Sequence, residues 1–380
     1  MTGHASQDKP RVTPSDAQWA LIARRFGRHR LAVASLYVLL ALYFLAIFAD
    51  FFAPYAPEWR DLDHAYCPPQ IPCFNLTDGL HVPAFTRHVD PVTFRKTYTV
   101  DQDASVPLAL FAKGESYRLW GLIPMKRRFL GVDREAWRER APAPPQTVPT
   151  FYMLGADRYG RDLLSRILIG ARISLSVGIV ALAVTFVLGI MLGGVSGYVG
   201  GSLDNFIQRS IEVVNALPQL PLWLALAAAM PQDWSPLKVY FAITIVLSLL
   251  GWTGLARVVR GKLLSLREED YTMAARLLGA SHARIIFRHL VPGFTSHIIV
   301  ALTLSVPAII LGETSLSFLG VGLRPPVISW GVLLQDCMNI TAVVNYPWLL
   351  LPVVFIVAVV LSFNFLGDGL RDAADPYGGH

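Results

Sequence analysis

The sequence predicts an all-α polytopic membrane protein of six transmembrane helices, with an extracytoplasmic insertion between the first and the second. Three observations lead there. Of 380 residues, 53% are hydrophobic and only 16% charged, at a mean hydropathy of +0.45. Soluble domains carry about 25% charged residues, and single aqueous cores stop growing at roughly 250–300 residues, so the apolar surplus must face lipid. Six stretches are apolar over about the 20 residues that a bilayer core of about 30 Å requires: roughly 31–52, 173–195, 210–230, 237–256, 296–319 and 346–366. The basic residues of the short segments fall on one side, as cytoplasmic loops do.

In chain order, residues 1–30 read as a polar cytoplasmic tail ending in Arg24, Arg25, Arg28 and Arg30. The apolar run over 31–53 is longer than the roughly 7–15 residues of a signal-peptide core and reads as an uncleaved anchor. Residues 54–150 form the insertion. Thirteen of the 26 prolines fall in 54–149, and the segment ends in Ala141-Pro-Ala-Pro-Pro-Gln-Thr-Val-Pro149, a semi-rigid spacer if polyproline in conformation. Lys96–Val100 and Ser116–Trp120 read as strands, giving a small β-rich subdomain. Trp59, Trp120 and Trp137 weigh against the alternative of a disordered loop.

Three cysteines are too few for a disulfide framework. Cys67 and Cys73 nevertheless share the Pro-rich segment read as lying in an oxidising compartment. A disulfide between them, closing a tight loop around Pro68, Pro69 and Pro72, is expected, with free thiols as the alternative. Residues 151–372 hold the other five spans and a basic loop over 257–292, and 373–380 is a second tail. Six spans return the chain to the side where it began, so both termini share the side of Arg257, Arg260, Lys262, Arg267, Arg276, Arg284 and Arg288.

Pro218 and Pro221 in the third span and Pro307 in the fifth each remove a helical hydrogen bond. Such kinks line polar paths or act as hinges, or are structural only. Glu313 is an intramembrane acid, which by default faces the bundle interior. Gly189, Gly193, Gly197 and Gly201 recur every four residues. That stripe permits close helix packing, expected within the subunit, with the last two glycines in the following loop.

The basic loop contains Glu269-Asp-Tyr-Thr-Met-Ala-Ala-Arg-Leu-Leu-Gly-Ala-Ser-His-Ala-Arg-Ile-Ile-Phe-Arg-His-Leu-Val-Pro292. Asp270 can N-cap a short helix, Gly279 can end it in the left-handed conformation, and Ser281 can cap a second helix that stops before Pro292. Met273, Ala274, Leu277 and Leu278 recur at helical spacing with Ala275 beside them. Such a helix fits a partner's groove, or lies on the membrane surface with ordinary cytoplasmic arginines. Spacing alone leaves both open.

Ala274-Ala275-Arg-Leu-Leu-Gly279, continuing to Val291-Pro292, resembles the EAA loop of binding-protein-dependent ABC importer permeases, with Met273 where the name-giving glutamate would stand. The resemblance extends to Leu154-Gly-Ala-Asp157, Gly160-Arg161-Asp162-Leu-Leu-Ser-Arg166, Gly170-Ala-Arg172-Ile-Ser174, Glu313-Thr-Ser-Leu-Ser-Phe-Leu-Gly320, Pro325-Pro326, Ser329-Trp330-Gly331 and Asn364-Phe-Leu-Gly-Asp-Gly-Leu-Arg371-Asp372. It points to the dipeptide/oligopeptide branch and covers nearly everything except about 54–150.

The resemblance implies a type I permease fold in the bacterial inner membrane. It implies a homologous second permease, two cytoplasmic ATPases and an extracytoplasmic solute-binding protein as partners. Met273, Ala274, Ala275, Leu277, Leu278, Gly279 and Ser281 would form the ATPase-coupling loop, and Glu313 an interhelical hydrogen bond rather than a substrate contact. This chain would bind no cofactor, metal or nucleic acid and catalyse nothing, ATP and Mg being used by its partners. Oligopeptides are the expected cargo, with oligosaccharides or opines as alternatives. A self-contained secondary transporter would show internal repeats, and none is evident. A membrane-embedded enzyme would need a phosphate loop, nucleophile elbow or metal motif. The nearest approach, Gly254 to Leu263, has the wrong glycine spacing and leucine in place of the Mg²⁺-binding hydroxyl.

Overall fold

The computed structural model describes residues 14–75, 79–92, 96–140, 149–231 and 233–375; most of the proline-rich linker and the outer parts of both tails lie outside them. Helix α1 (Pro14–Phe26) leads into α2 (Arg30–Ile47) and the short α3 (Ala49–Phe52). Nothing between Leu31 and Ala49 is charged, and His29 caps α2 by accepting the Ala32 N–H on Nδ1 at 3.2 Å.

The insertion is built of strands, as the sequence predicts. β1 (Cys73–Asn75), β2 (Gly79–Val89), β3 (Lys96–Leu110) and β6 (Leu130–Val132) form an antiparallel sheet in the order β1-β2-β3-β6, while β4 (Lys113–Leu119) and β5 (Ile123–Arg127) form a separate hairpin. Val82, Val106, Leu108, Leu130 and Phe151 make the sheet's buried core. Helix α4 (Arg134–Arg140) follows.

The expected disulfide is not formed. Cys67 and Cys73 are both free thiols. Cys67 is 1% exposed and packs with Tyr152 and Ala156, whereas Cys73 sits exposed at the head of β1. Burial pushes the Cys67 thiol pKa up, which keeps it protonated and unreactive. Alkylation of the native, unreduced protein should therefore modify Cys73 readily and Cys67 only after unfolding. Peptide masses showing a Cys67–Cys73 crosslink would overturn this.

The second half is helical: α5 (Leu163–Val199), α6 (Gly201–Ala216), α7 (Gln219–Ala228), α8 (Pro236–Leu266), α9 (Asp270–Leu277), α10 (His282–Arg284), α11 (Thr295–Phe318), α12 (Trp330–Leu333), α13 (Ile340–Asn345) and α14 (Leu351–Ala374). Among the described residues, five helical runs are long and apolar enough to cross a membrane. They are α2, α5, α8, the run His282–Phe318 and the run Pro347–Ala374. The expected third span is not straight: α6 and α7 meet at 88° and count as a sixth span only if taken together.

Helix α5 starts on Asp162, whose carboxylate accepts the Ser165 N–H at 2.7 Å and its hydroxyl at 2.6 Å. It packs along α8 on the glycine stripe. A Cβ on Gly193 would stand 2.5 Å from the Ala256 carbonyl oxygen, and one on Gly197 2.8 Å from that of Arg260. Contrary to expectation, Gly197 is still helical, and only Gly201 lies past the turn, opening α6. At the far end of the sequence, α14 returns to α2, with Gly369 against Ala32. Arg25 Nη1 donates to the Asp375 carbonyl at 2.6 Å, so both described ends share one face.

Candidate functional site

The basic loop expected over 257–292 begins inside a helix, because α8 continues to Leu266. Arg260 is therefore a helix residue, and its guanidinium forks onto Asp204 of α6 with both contacts at 2.6 Å. Ser196 of α5 also donates to Asp204 and accepts from Gln208 Nε2 at 3.0 Å. The network ties three helices together beneath the loop.

Helix α9 hangs from this platform by a few contacts. Its N-cap is Glu269, one residue before the expected Asp270, which occupies the first turn. Thr272 is fully buried, and its hydroxyl donates to the Leu266 carbonyl at 2.9 Å. Ala275 is half-buried against the cluster containing Leu255, Val259, Leu263, Ile285 and Ile286. Arg276 lies 5.5 Å from the centre of the Tyr198 ring of α5.

The helix ends where Gly279 takes φ +79°. The Ala280 N–H then reaches the Ala275 carbonyl at 3.1 Å and the Gly279 N–H that of Arg276 at 3.0 Å, the paired bonds of a Schellman stop. Ser281 caps α10 by accepting the Arg284 N–H at 3.4 Å. The helix does not stop before Pro292, as expected from sequence. A wide turn over Ile285–Leu290 and a tight one over Val291–Phe294 carry it on into α11, accommodating the missing proline N–H.

These constraints divide the predicted coupling residues. Of these only Ala275 faces the protein, as does the neighbouring Thr272, which was not among them, while Met273, Ala274, Gly279 and Ser281 are exposed. Leu277 and Leu278 are the extreme case, at 89% and 88% exposed. Two adjacent leucines bared at a helix end form an apolar knob that the chain itself leaves uncovered.

The predicted path residues separate. Pro218 is the N-cap of α7 and Pro221 lies in its first turn, where backbone N–H groups have no helical acceptor in any case. Neither therefore costs a hydrogen bond, contrary to the sequence reading; the break belongs to Leu217–Pro218. Both prolines are exposed. Pro307 is buried inside the continuous α11.

Glu313, also on α11, has no exposed surface. It accepts hydroxyls from Ser317 and Ser329, each at 2.8 Å, and from Ser174 of α5 at 3.3 Å. Ser174 in turn accepts the Trp330 N–H at 3.1 Å. Glu313 thus joins α5, α11 and the start of α12. Removing it should strand three buried hydroxyls at about 1–3 kcal/mol each. Glu313→Leu should sharply lower the yield of monodisperse protein in detergent, whereas Glu313→Gln, which keeps an acceptor, should remain close to wild type. Equal yields for the two variants would remove the glutamate from the packing.

Sequence reasoning missed Thr272, Tyr198 and the Asp204–Arg260 pair. Of these only Asp204 and Arg260 carried a signal, as opposite charges at the ends of neighbouring spans.

Two families match this chain. "Binding-protein-dependent transport system inner membrane component" matches residues 168–377, more than half of the sequence, and "N-terminal TM domain of oligopeptide transport permease C" matches 17–69. Similar curated proteins include the oligopeptide transport system permease protein OppC of Bacillus subtilis, 38% identical over 59% of this chain and 72% of its own. The dipeptide transport system permease protein DppC of that organism is 41% identical over 59% and 68%. OppC of Escherichia coli is 40% identical over 67% and 81%. With its spans and helical core, the chain belongs to the binding-protein-dependent transport inner membrane component family and is a multi-pass permease subunit of an ABC importer.

Proposed function

We propose that this subunit forms half of a translocation pathway for oligopeptides, paired with a homologous permease and driven by two ATPases that dock on α9. The observation that carries the coupling role is the uncovered Leu277–Leu278 knob on a helix pinned from behind by Thr272 and Ala275. A rigidly held apolar knob suits a groove on a partner that must push and pull it. The relatives named for oligopeptide and dipeptide transport support the cargo. On this reading the basic loop and both termini are cytoplasmic, a solute-binding protein delivers cargo on the opposite face, and ATP and Mg are consumed by the ATPases alone. The bent α6–α7 pair, exposed around Pro218 and Pro221, supplies part of the path wall.

The test is reconstitution of the four-subunit complex in proteoliposomes with its binding protein. Labelled tetrapeptide should accumulate only with ATP and the binding protein both present. Accumulation driven by an ion gradient without ATP would overturn the reading. ATP-dependent uptake of an oligosaccharide or opine but not peptide would keep the mechanism and replace the cargo.

A further inference from the structure

The insertion carries an apolar surface that its own fold leaves bare. Residues 70–167 fall outside both family matches, and within them the β4–β5 hairpin stands apart from the main sheet. At its turn Trp120, Leu122 and Ile123 are 46%, 79% and 48% exposed. A soluble hairpin would place polar residues there.

The hairpin has a definite direction. At its base, Arg128 donates to the Ala53 carbonyl at 2.6 Å, and the Phe129 N–H to that of Phe51 at 2.8 Å. At its tip, the Trp120 indole N–H donates to the Ile47 carbonyl at 2.8 Å, and its backbone N–H to Asp50 Oδ2 at 3.3 Å. The hairpin thus runs from the level of Ala53 back to Ile47, the last residue of the α2 span, and Leu122 and Ile123 lie at the end of that course.

The edge of the bilayer falls at the same level. The 18 residues of α2 rise about 27 Å, close to the roughly 30 Å of the hydrocarbon core. Asp50, just beyond, pairs with Arg172 at 2.8 Å, and that guanidinium also holds the Ala46 and Ile47 carbonyls. A charged pair of this kind marks the boundary. Phe44, Phe48, Phe52, Phe129 and Trp120 pack there in a chain of tilted and edge-on ring contacts between 4.9 and 5.9 Å, as aromatic girdles do at membrane interfaces. The exposed Leu40, Phe44 and Ile47 of α2 continue the same apolar surface. The hairpin adds Lys113, Arg118, Lys126 and Arg127 against Glu115 alone, a charge balance suited to anionic headgroups.

We infer that the β4–β5 hairpin is a second membrane contact. Its tip sets Trp120, Leu122 and Ile123 into the headgroup–acyl boundary beside the end of α2, with the basic strands on anionic lipid. The insertion is thereby held against the bilayer next to the first span. This holds whatever the cargo.

The test uses the full chain in nanodiscs of phosphatidylcholine and phosphatidylglycerol, with Cys73 and Cys337 replaced by serine. A fluorophore is attached at Leu122→Cys, or at Ile123→Cys if the first variant misfolds, and at Val92→Cys, a control on the β2–β3 turn that is 83% exposed. Quenching by lipids with a nitroxide near the headgroup should be at least about threefold stronger at the hairpin tip than at position 92, and quenching by aqueous iodide weaker. Iodide access at 122 equal to that at 92 would overturn the inference. So would shielding from both quenchers, which would mean that protein covers the tip. Arg118→Glu with Lys126→Glu should reduce the lipid quenching in the phosphatidylglycerol discs; unchanged quenching would overturn the headgroup contact.

Discussion

Leu277→Glu combined with Leu278→Glu should abolish ATP-driven uptake while leaving the subunit as abundant and monodisperse as wild type. Both side chains are almost fully exposed, so the fold loses no packing. On a docking surface, two central apolar anchors are worth about 2 kcal/mol or more each. The ATPases should then bind the membrane complex two to three orders of magnitude more weakly, read as their loss on co-purification, with cargo binding to the separate binding protein unchanged.

Gly279→Val should give a milder form of the same defect. At φ +79° no atom lies within 4 Å of where its Cβ would stand, so the cost is backbone strain of about 1–2 kcal/mol. Gly279→Asn, which tolerates that conformation, should largely restore uptake. Ala274→Trp should block docking, whereas Ala275→Trp should disturb α9's own seat, because only Ala274 faces outward. A double-glutamate variant that retains its ATPases and transports at the wild-type rate would take α9 out of the mechanism.

Gly193→Leu should have a large effect on folding. Its Cβ would meet the Ala256 carbonyl oxygen at 2.5 Å and Cα at 2.8 Å, atoms of the α8 backbone that no rotamer change can move. Helices α5 and α8 would have to separate along a face that also holds Gly189 and Gly197, at a cost above the usual 1–3 kcal/mol of overpacking. Membrane-inserted, detergent-stable protein should nearly disappear. Gly254→Ala makes the control, since a Cβ at Gly254 on α8 meets nothing within 4 Å. A stable Gly193→Leu protein would mean that these helices do not pack through the stripe.

Five of the six spans, the β-rich insertion, the Gly279 stop and the family were all legible in the amino-acid order. These are local properties: hydropathy accumulates residue by residue, strand alternation has a short period, and a left-handed helix end selects glycine within one turn. What those residues face depends on long-range packing. Glu313 became a packing hub because Ser174, 139 residues earlier, meets it across two helices. Asp204 and Arg260, 56 residues apart, became one fork. Ala274 and Ala275 are identical in sequence terms, yet a rotation of about 100° per residue turns one outward and the other into the core. The cysteines near the start of the insertion do not pair, because one is packed inside while the other begins an exposed strand. The first strand of the β4–β5 hairpin was legible around Ser116–Trp120, but its place beside α2 was not, since that rests on the contact from Trp120 to Ile47, 73 residues apart. No local rule encodes which surface will stand opposite another; that choice belongs to the packing of the whole chain.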